Sequence, residues 1–123
     1  MDLKKAPGLE AEQLAGKFLR QLGYRIIEER RWTKYGELDL ICRKGRELVF
    51  VEVRSVESES GFHPEESLIQ KKIDHLVKSA KSWLIQKKLL NYSVRFDIIT
   101  VDLSEKPPRI VHYPAAFSSR FDL

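Results

Sequence analysis

Between Leu9 and Leu22 the apolar residues Ala11, Leu14, Ala15, Phe18, Leu19 and Leu22 recur every three or four positions, the spacing that lines one face of a helix. Pro7 and Gly8 precede the run and Gly23 follows it as a stop, so a first helix is predicted here. "YRIIEERRW" (24–32) alternates only in part and concentrates charge in its second half, which suits a strand at a sheet edge. Residues 38–42 and 48–54 are two apolar runs joined by "RKGRE", predicted as a hairpin. The polar stretch "SVESESGFHP" (55–64), broken by Gly61 and Pro64, predicts a mobile loop able to close over a ligand. A longer helix is expected over 65–90, with Ile69, Ile73, Leu76, Ala80, Trp83 and Leu84 as its buried stripe. Lys71, His75 and Lys78 fall on another of its faces. "SVRFDIITVDL" (93–103) predicts a fourth strand and "RIVHY" (109–113) a fifth. The order is therefore helix, three strands, helix, two strands.

Length and composition suit one α+β or α/β domain. At 123 residues the chain can bury about two-thirds of its unfolded surface, and it holds no internal repeat. No run approaches the roughly 18 apolar residues of a membrane span. The charges of "MDLKKAPGLEAE" are followed by no apolar stretch, so a cytoplasmic rather than secreted protein is expected. Cys42 is the only cysteine, which excludes an internal disulfide and a cysteine zinc cluster, and its apolar surroundings predict a small core residue. Lys and Arg number 22 against 18 Asp and Glu, a net +4 that is compatible with an anionic partner without demanding one.

The sharper signal lies in "GELDLICRKGRELVFVEVRS" (36–55), where carboxylates sit among residues that read as buried strand. Side chains alternate faces along a strand, so Glu37 shares a face with Asp39, and Glu52 with Arg54. A turn at Lys44-Gly45 that pairs Arg43 with Leu48 sets Ile41 opposite Phe50, Asp39 opposite Glu52 and Glu37 opposite Arg54. A slip of one residue would break the matched apolar pattern. Like charges directly across a strand pair repel, and an unpaired carboxylate in a covered central strand is costly. Two readings follow: Asp39 and Glu52 hold a divalent cation, for which hard oxygen ligands suit Mg²⁺ or Mn²⁺, or the hairpin face is solvated and Glu37 and Arg54 form an ordinary cross-strand pair.

The segments "GLEAEQLAGKFLRQLGYRI", "GELDLI", "LVFVEVR" and "VRFDIITV" resemble, in this order, the YraN-like proteins, a bacterial family described as predicted endonucleases. The likeness runs from about Gly8 to Phe117. It implies a restriction-endonuclease-like fold of the PD-(D/E)xK type, similar to archaeal Holliday-junction resolvases, with a central mixed sheet flanked by helices. By that resemblance Asp39 matches the metal-binding aspartate, Glu52 the acidic residue of the E-x-K element, Glu12 the helical glutamate and Glu37 the acid of the family's G-E-x-D signature. Arg54 stands where the superfamily has lysine. Arginine stays protonated and cannot act as a base, so Arg54 would stabilise phosphate charge while Lys72, a lysine typical of the family, would serve in a migrated role. "RRW" also departs from the family pattern, which often has asparagine before "GELD".

The activity so implied is Mg²⁺- or Mn²⁺-dependent hydrolysis of DNA phosphodiesters, branched or repair intermediates among them, with similar resolvases acting as homodimers. Arg30, Arg31, Lys34, Lys71, His75 and Lys78 are candidate phosphate contacts and Trp32 a candidate stacking group, each against the plainer reading of a solvated charge. Arg95 and Asp97 in "VRFD" match a recurrent motif of the YraN-like family and read either as a structural salt bridge beside the site or as catalytic residues. The competing class is a non-catalytic nucleic-acid-binding or protein-interaction module on the same fold.

Overall fold

The computed structural model describes residues 6–56 and 70–118. Helix α1 (Ala6–Gln21) leads into strands β1 (Arg25–Thr33), β2 (Gly36–Lys44) and β3 (Glu47–Val56). Helix α2 (Gln70–Lys87) and strands β4 (Ser93–Asp102) and β5 (Arg109–Phe117) follow. The five strands form one mixed sheet in the order β1-β2-β3-β4-β5, antiparallel except for the parallel β3–β4 pair. This is the α/β arrangement, α-β-β-β-α-β-β, expected of a restriction-endonuclease-like domain. The parallel pair requires a crossover, and α2 lies within it.

Burial on both faces explains why β3 and β4 read as almost unbroken apolar runs. One face packs Ile41, Leu48, Phe50, Phe96 and Ile98 against Leu76, Val77, Ala80, Trp83 and Leu84 of α2. The other packs Leu40, Cys42, Val49, Val51, Ile99 and Val101 against Ala11, Ala15 and Leu19 of α1. Cys42 is a fully buried core residue, and burial pushes its thiol up to about 12. Trp83 is likewise core, its indole N–H donating to Glu28.

Several boundaries move from where the spacing alone placed them. Helix α1 begins at Ala6, so Pro7 sits in its first turn, where a missing N–H loses no helical bond. Leu22 is not part of the buried stripe: it is 46% exposed, because the helix ends at Gln21 and Gly23, at φ +88, turns the chain away. There Tyr24 N–H donates to Leu19 O at 3.0 Å, closing the helix end. Helix α2 ends at Lys87, and Lys88 takes the same left-handed role at φ 60. Strand β5 runs on to Phe117 and β3 to Val56. The loop expected over 57–64 and the helix start over 65–69 lie outside the described residues. Among the described residues no helix is long and apolar enough to cross a membrane.

One buried charge pins β5 to the sheet. Asp97 is fully buried in β4 and accepts from Arg95 Nε and Nη2, each at 2.8 Å, from His112 Nε2 at 2.7 Å and from the Ala115 N–H at 2.9 Å. Burial alone would raise its pKa; the donors His112, Arg95 and Ala115 outweigh that and hold it below the ordinary value. Arg95 also reaches Tyr24 Oη at 2.6 Å, so the chain leaving α1 is tied to the same network. Removing the carboxylate would take the shared acceptor from the half-buried Arg95 and His112 and from the Ala115 N–H. Asp97→Ala is expected to lower unfolding free energy by about 3–5 kcal/mol in denaturant titrations, whereas a loss below about 1 kcal/mol would show that the network is not structural.

Candidate functional site

The β2–β3 ladder keeps the register expected from the hairpin, Arg43↔Leu48 and Ile41↔Phe50, but it stops at Leu40↔Val51. Asp39 and Glu52 are therefore not ladder partners, a correction to the extended hairpin. Past that point β3 stays paired with β4 through Val56↔Asp102, while the N–H of Val53 is taken by the Asp39 side chain, Oδ2 accepting at 2.9 Å. A carboxylate thus replaces the missing backbone acceptor. Where the strands part lies a cavity of about 10 Å³ lined in part by Asp39, Glu52, Phe50 and Leu76, about the room of one water.

A second irregularity turns the side chains around. Glu28 and Arg31 both reach α2, through Trp83 and Gln86, although strict alternation would send them to opposite faces. Between them Arg30 sits at φ 52, a left-handed conformation that is unusual outside glycine. On β2, Leu38 correspondingly packs on the α2 side while Leu40 packs on the α1 side. The strand pair is rotated at the level of Arg30 and Asp39.

That rotation, with α1 above it, assembles the carboxylates. Glu12 lies one position past the buried Ala11 on α1, and an oxygen from each of Glu12, Glu37 and Asp39 falls within 4.8 Å of the others. Glu52, buried, makes a hydrogen-bonding contact with Asp39, and Lys72 Nζ stands 3.7 Å from Glu52 Oε2. Arg30 Nε lies 3.2 Å from Glu12 Oε2, in ion-pair range; that oxygen is buried and has no hydrogen-bond donor among the described residues.

The other expected contacts lie outside the carboxylate trio, Lys34 and Lys78 beside a common groove. Arg31 donates to Glu28 at 3.2 Å and to Gln86 at 2.7 Å, on the opposite face from Arg30. Lys71, His75 and Lys78 are exposed along α2, and Lys34 is exposed in the β1–β2 turn. Trp32 is 64% exposed and pairs across the ladder with Glu37. Arg54 is half-buried on β3, in register with Thr100. Arg30's ion pair with Glu12 was not evident from residue types, because a left-handed arginine inside a strand leaves no mark in the sequence.

Residues 11–101 match the profile described as Uncharacterised protein family UPF0102. The chain belongs to the UPF0102 family. It is 40% identical over 116 residues to the UPF0102 protein of Anaeromyxobacter dehalogenans, spanning 94% of this chain and 87% of that one. To the UPF0102 protein of Thermotoga maritima it is 45% identical over 92 residues, 75% of this chain and 82% of the other. For that of Geobacter sulfurreducens the figures are 37% over 114 residues, 92% and 89%. The matched span of this UPF0102 chain contains Glu12, Glu37, Asp39, Glu52 and Lys72.

Burial, reinforced by the crowding of like charges, sets the electrostatics. Burial raises Glu12 to about 7, helped by the charges of Asp39, Glu37 and Glu29 and opposed by Arg30. Asp39 is raised to about 8 by burial and by Glu52, against the Val53 N–H and Lys72, which favour its charged form. Near neutral pH the UPF0102 cluster therefore carries fewer charges than it has carboxyl groups. Because both values lie above the ordinary ones, the folded state binds extra protons, so this stability is present at low pH and lost as pH rises through about 7 to 8. With chelator present, the melting temperature should fall between about pH 5 and 8. Asp39→Asn, which keeps an acceptor for Val53, should flatten that slope and raise the melting temperature at pH 8 by about 5 °C. An unchanged slope would rule out Asp39 as its source.

Proposed function

We propose that this UPF0102 chain is a metal-dependent endonuclease that hydrolyses DNA phosphodiesters, branched or repair intermediates among them. The observation that carries the reading is the Glu12 carboxylate: its buried Oε2, which accepts no hydrogen bond among the described residues and has only the Arg30 ion pair against it, lies in a trio of carboxylates within 4.8 Å. Three hard oxygen ligands from three positions fit Mg²⁺ or Mn²⁺, and a divalent ion would offset the burial and the mutual repulsion that raise Glu12 and Asp39. When bound, such an ion lowers the pKa of a coordinated water and neutralises charge building on the phosphate.

The protein's own side chains divide the remaining work. Asp39, fixed by the Val53 N–H, would hold the ion together with Glu12 and Glu37, with Glu52 against Asp39 from β3. Lys72 brings an ammonium to Glu52, and this supports the migrated-lysine reading, since Arg54 occupies the usual lysine position. There it can donate to the attacking water or to a non-bridging phosphate oxygen. Arg30, held against Glu12, is a second cation on the cluster's rim.

Arg54 is also the feature that favours the non-catalytic module, because arginine cannot deprotonate water. One titration separates the two. With Mg²⁺ or Mn²⁺ the wild type should cleave DNA from a panel of duplex, single-stranded and branched forms, and saturating metal, about 100 times its Kd, should add about 2.7 kcal/mol of stability. Asp39→Ala and Glu52→Ala should each reduce cleavage by at least about 100-fold, and Lys72→Ala by about 10-fold or more. Metal-induced stabilisation without cleavage would select the binding module. Cleavage that survives Asp39→Ala would overturn the site.

A further inference from the structure

Between the β1–β2 turn and the outer side of α2 runs a groove of about 350 Å³, lined by Lys34, Tyr35, Lys78, Lys81, Ser82 and Ile85. Three of the six are lysines and none is acidic. Among the described residues none of the three forms a salt bridge; Lys34 Nζ instead lies 5.2 Å from the Tyr35 ring centroid. Apolar surface is exposed between these cations, Tyr35 at 36% and Ile85 at 54%.

The groove's two walls are fastened to each other. Thr33 Oγ1 accepts from the Tyr35 N–H at 3.1 Å and meets Gly36 O at 3.0 Å and the buried Ser79 Oγ of α2 at 2.9 Å. The turn is thus anchored to the helix before any ligand arrives, which lowers the ordering cost of binding. The groove opens at the end of the β1–β2 pair that also carries Glu37. Glu37 pairs across the ladder with Trp32, Thr33↔Gly36 is the last pair, and Lys34 and Tyr35 form the tip. A chain leaving the cluster would pass the exposed Trp32, round that tip and enter the groove.

We propose that this groove binds an unpaired nucleic-acid strand, with base faces on Tyr35 and Ile85 and backbone phosphates on Lys34, Lys78 and Lys81. The proposal rests on the nuclease reading for its link to the carboxylates, and it specifies the substrate class as duplex carrying a single-stranded flank. Duplex alone hides its base faces in the stack, leaving the apolar floor unused. An unpaired strand presents anionic backbone and flat apolar rings together, which is what the lining matches.

The test is fluorescence anisotropy in EDTA, so that neither metal nor cleavage enters the readout. Probes are a short oligothymidylate, the matching oligouridylate, a blunt DNA duplex and the same duplex with a single-stranded tail. Wild type should bind the tailed duplex at least about tenfold more tightly than the blunt one. Tyr35→Ala should abolish the difference and Tyr35→Phe retain it. Lys78→Ala with Lys81→Ala should lower the slope of log affinity against log salt for oligothymidylate by about 1.4, two phosphate contacts' worth. Equal affinity for the two homopolymers assigns the shared chemistry, and a preference for one assigns the natural strand. Equal binding of tailed and blunt duplex, or a tail preference that survives both Tyr35→Ala and the double lysine variant, overturns the groove. Metal-dependent cleavage with no tail preference removes the groove and leaves the nuclease reading; tail preference without cleavage does the reverse.

Discussion

The bond from the Val53 N–H to Asp39 Oδ2 is the hinge of this architecture, because it lets two adjacent strands separate without stranding a backbone donor. A central strand that loses its neighbour part-way would ordinarily leave a row of unpaired donors in an apolar interior, at about 1–3 kcal/mol each. Here the acid side chain closes the ladder and opens the sheet in one step. Glu52 gains access to Asp39, and Lys72 on α2 gains access to Glu52. Were Asp39 replaced by an apolar residue, neither the opening nor the contacts beyond it would have a structural basis.

The rotation at Arg30 is the complement of that opening. It carries Leu38 to the α2 side while Glu37 joins the carboxylates near Glu12 of α1, so one strand serves both layers within three residues. A left-handed backbone at a non-glycine residue costs on the order of 1–3 kcal/mol, and such strain persists where surrounding contacts over-determine it. The ion pair with Glu12 on one side and the docking of Arg31 on Gln86 on the other supply those contacts. Electrostatic repulsion in the cluster is likewise held in place by two packed cores, one on each face of the sheet.

How much of this could be read beforehand follows from the kind of signal each feature leaves. The order of elements along the chain and the buried stripe of α2 were legible because they write hydrophobic periods of two and 3.6 into the sequence, and the edge position of β1 showed in the charge of its second half. The hairpin register was legible as far as Leu40↔Val51 for the same reason. Its interruption was not, since a side chain standing in for a backbone carbonyl looks in sequence like any aspartate. The gathering of Glu12 with Glu37 and Asp39 came from the family likeness and not from spacing, which cannot place a helix over a particular strand. The groove was half legible: Lys34 and Lys78 stood out as charges, while Tyr35 and Ile85 looked like ordinary surface.

The burial of Cys42 gives the sheet a native reporter of its own opening. With the thiol pushed up to about 12 and sealed between β2's neighbours and α1, almost no thiolate meets a reagent in the closed state. Alkylation must wait for α1 to lift from the sheet, so its rate measures the frequency of that excursion. The chain has no second thiol to confuse the signal. Breathing of the layer beneath the carboxylates can thus be timed in the unaltered protein.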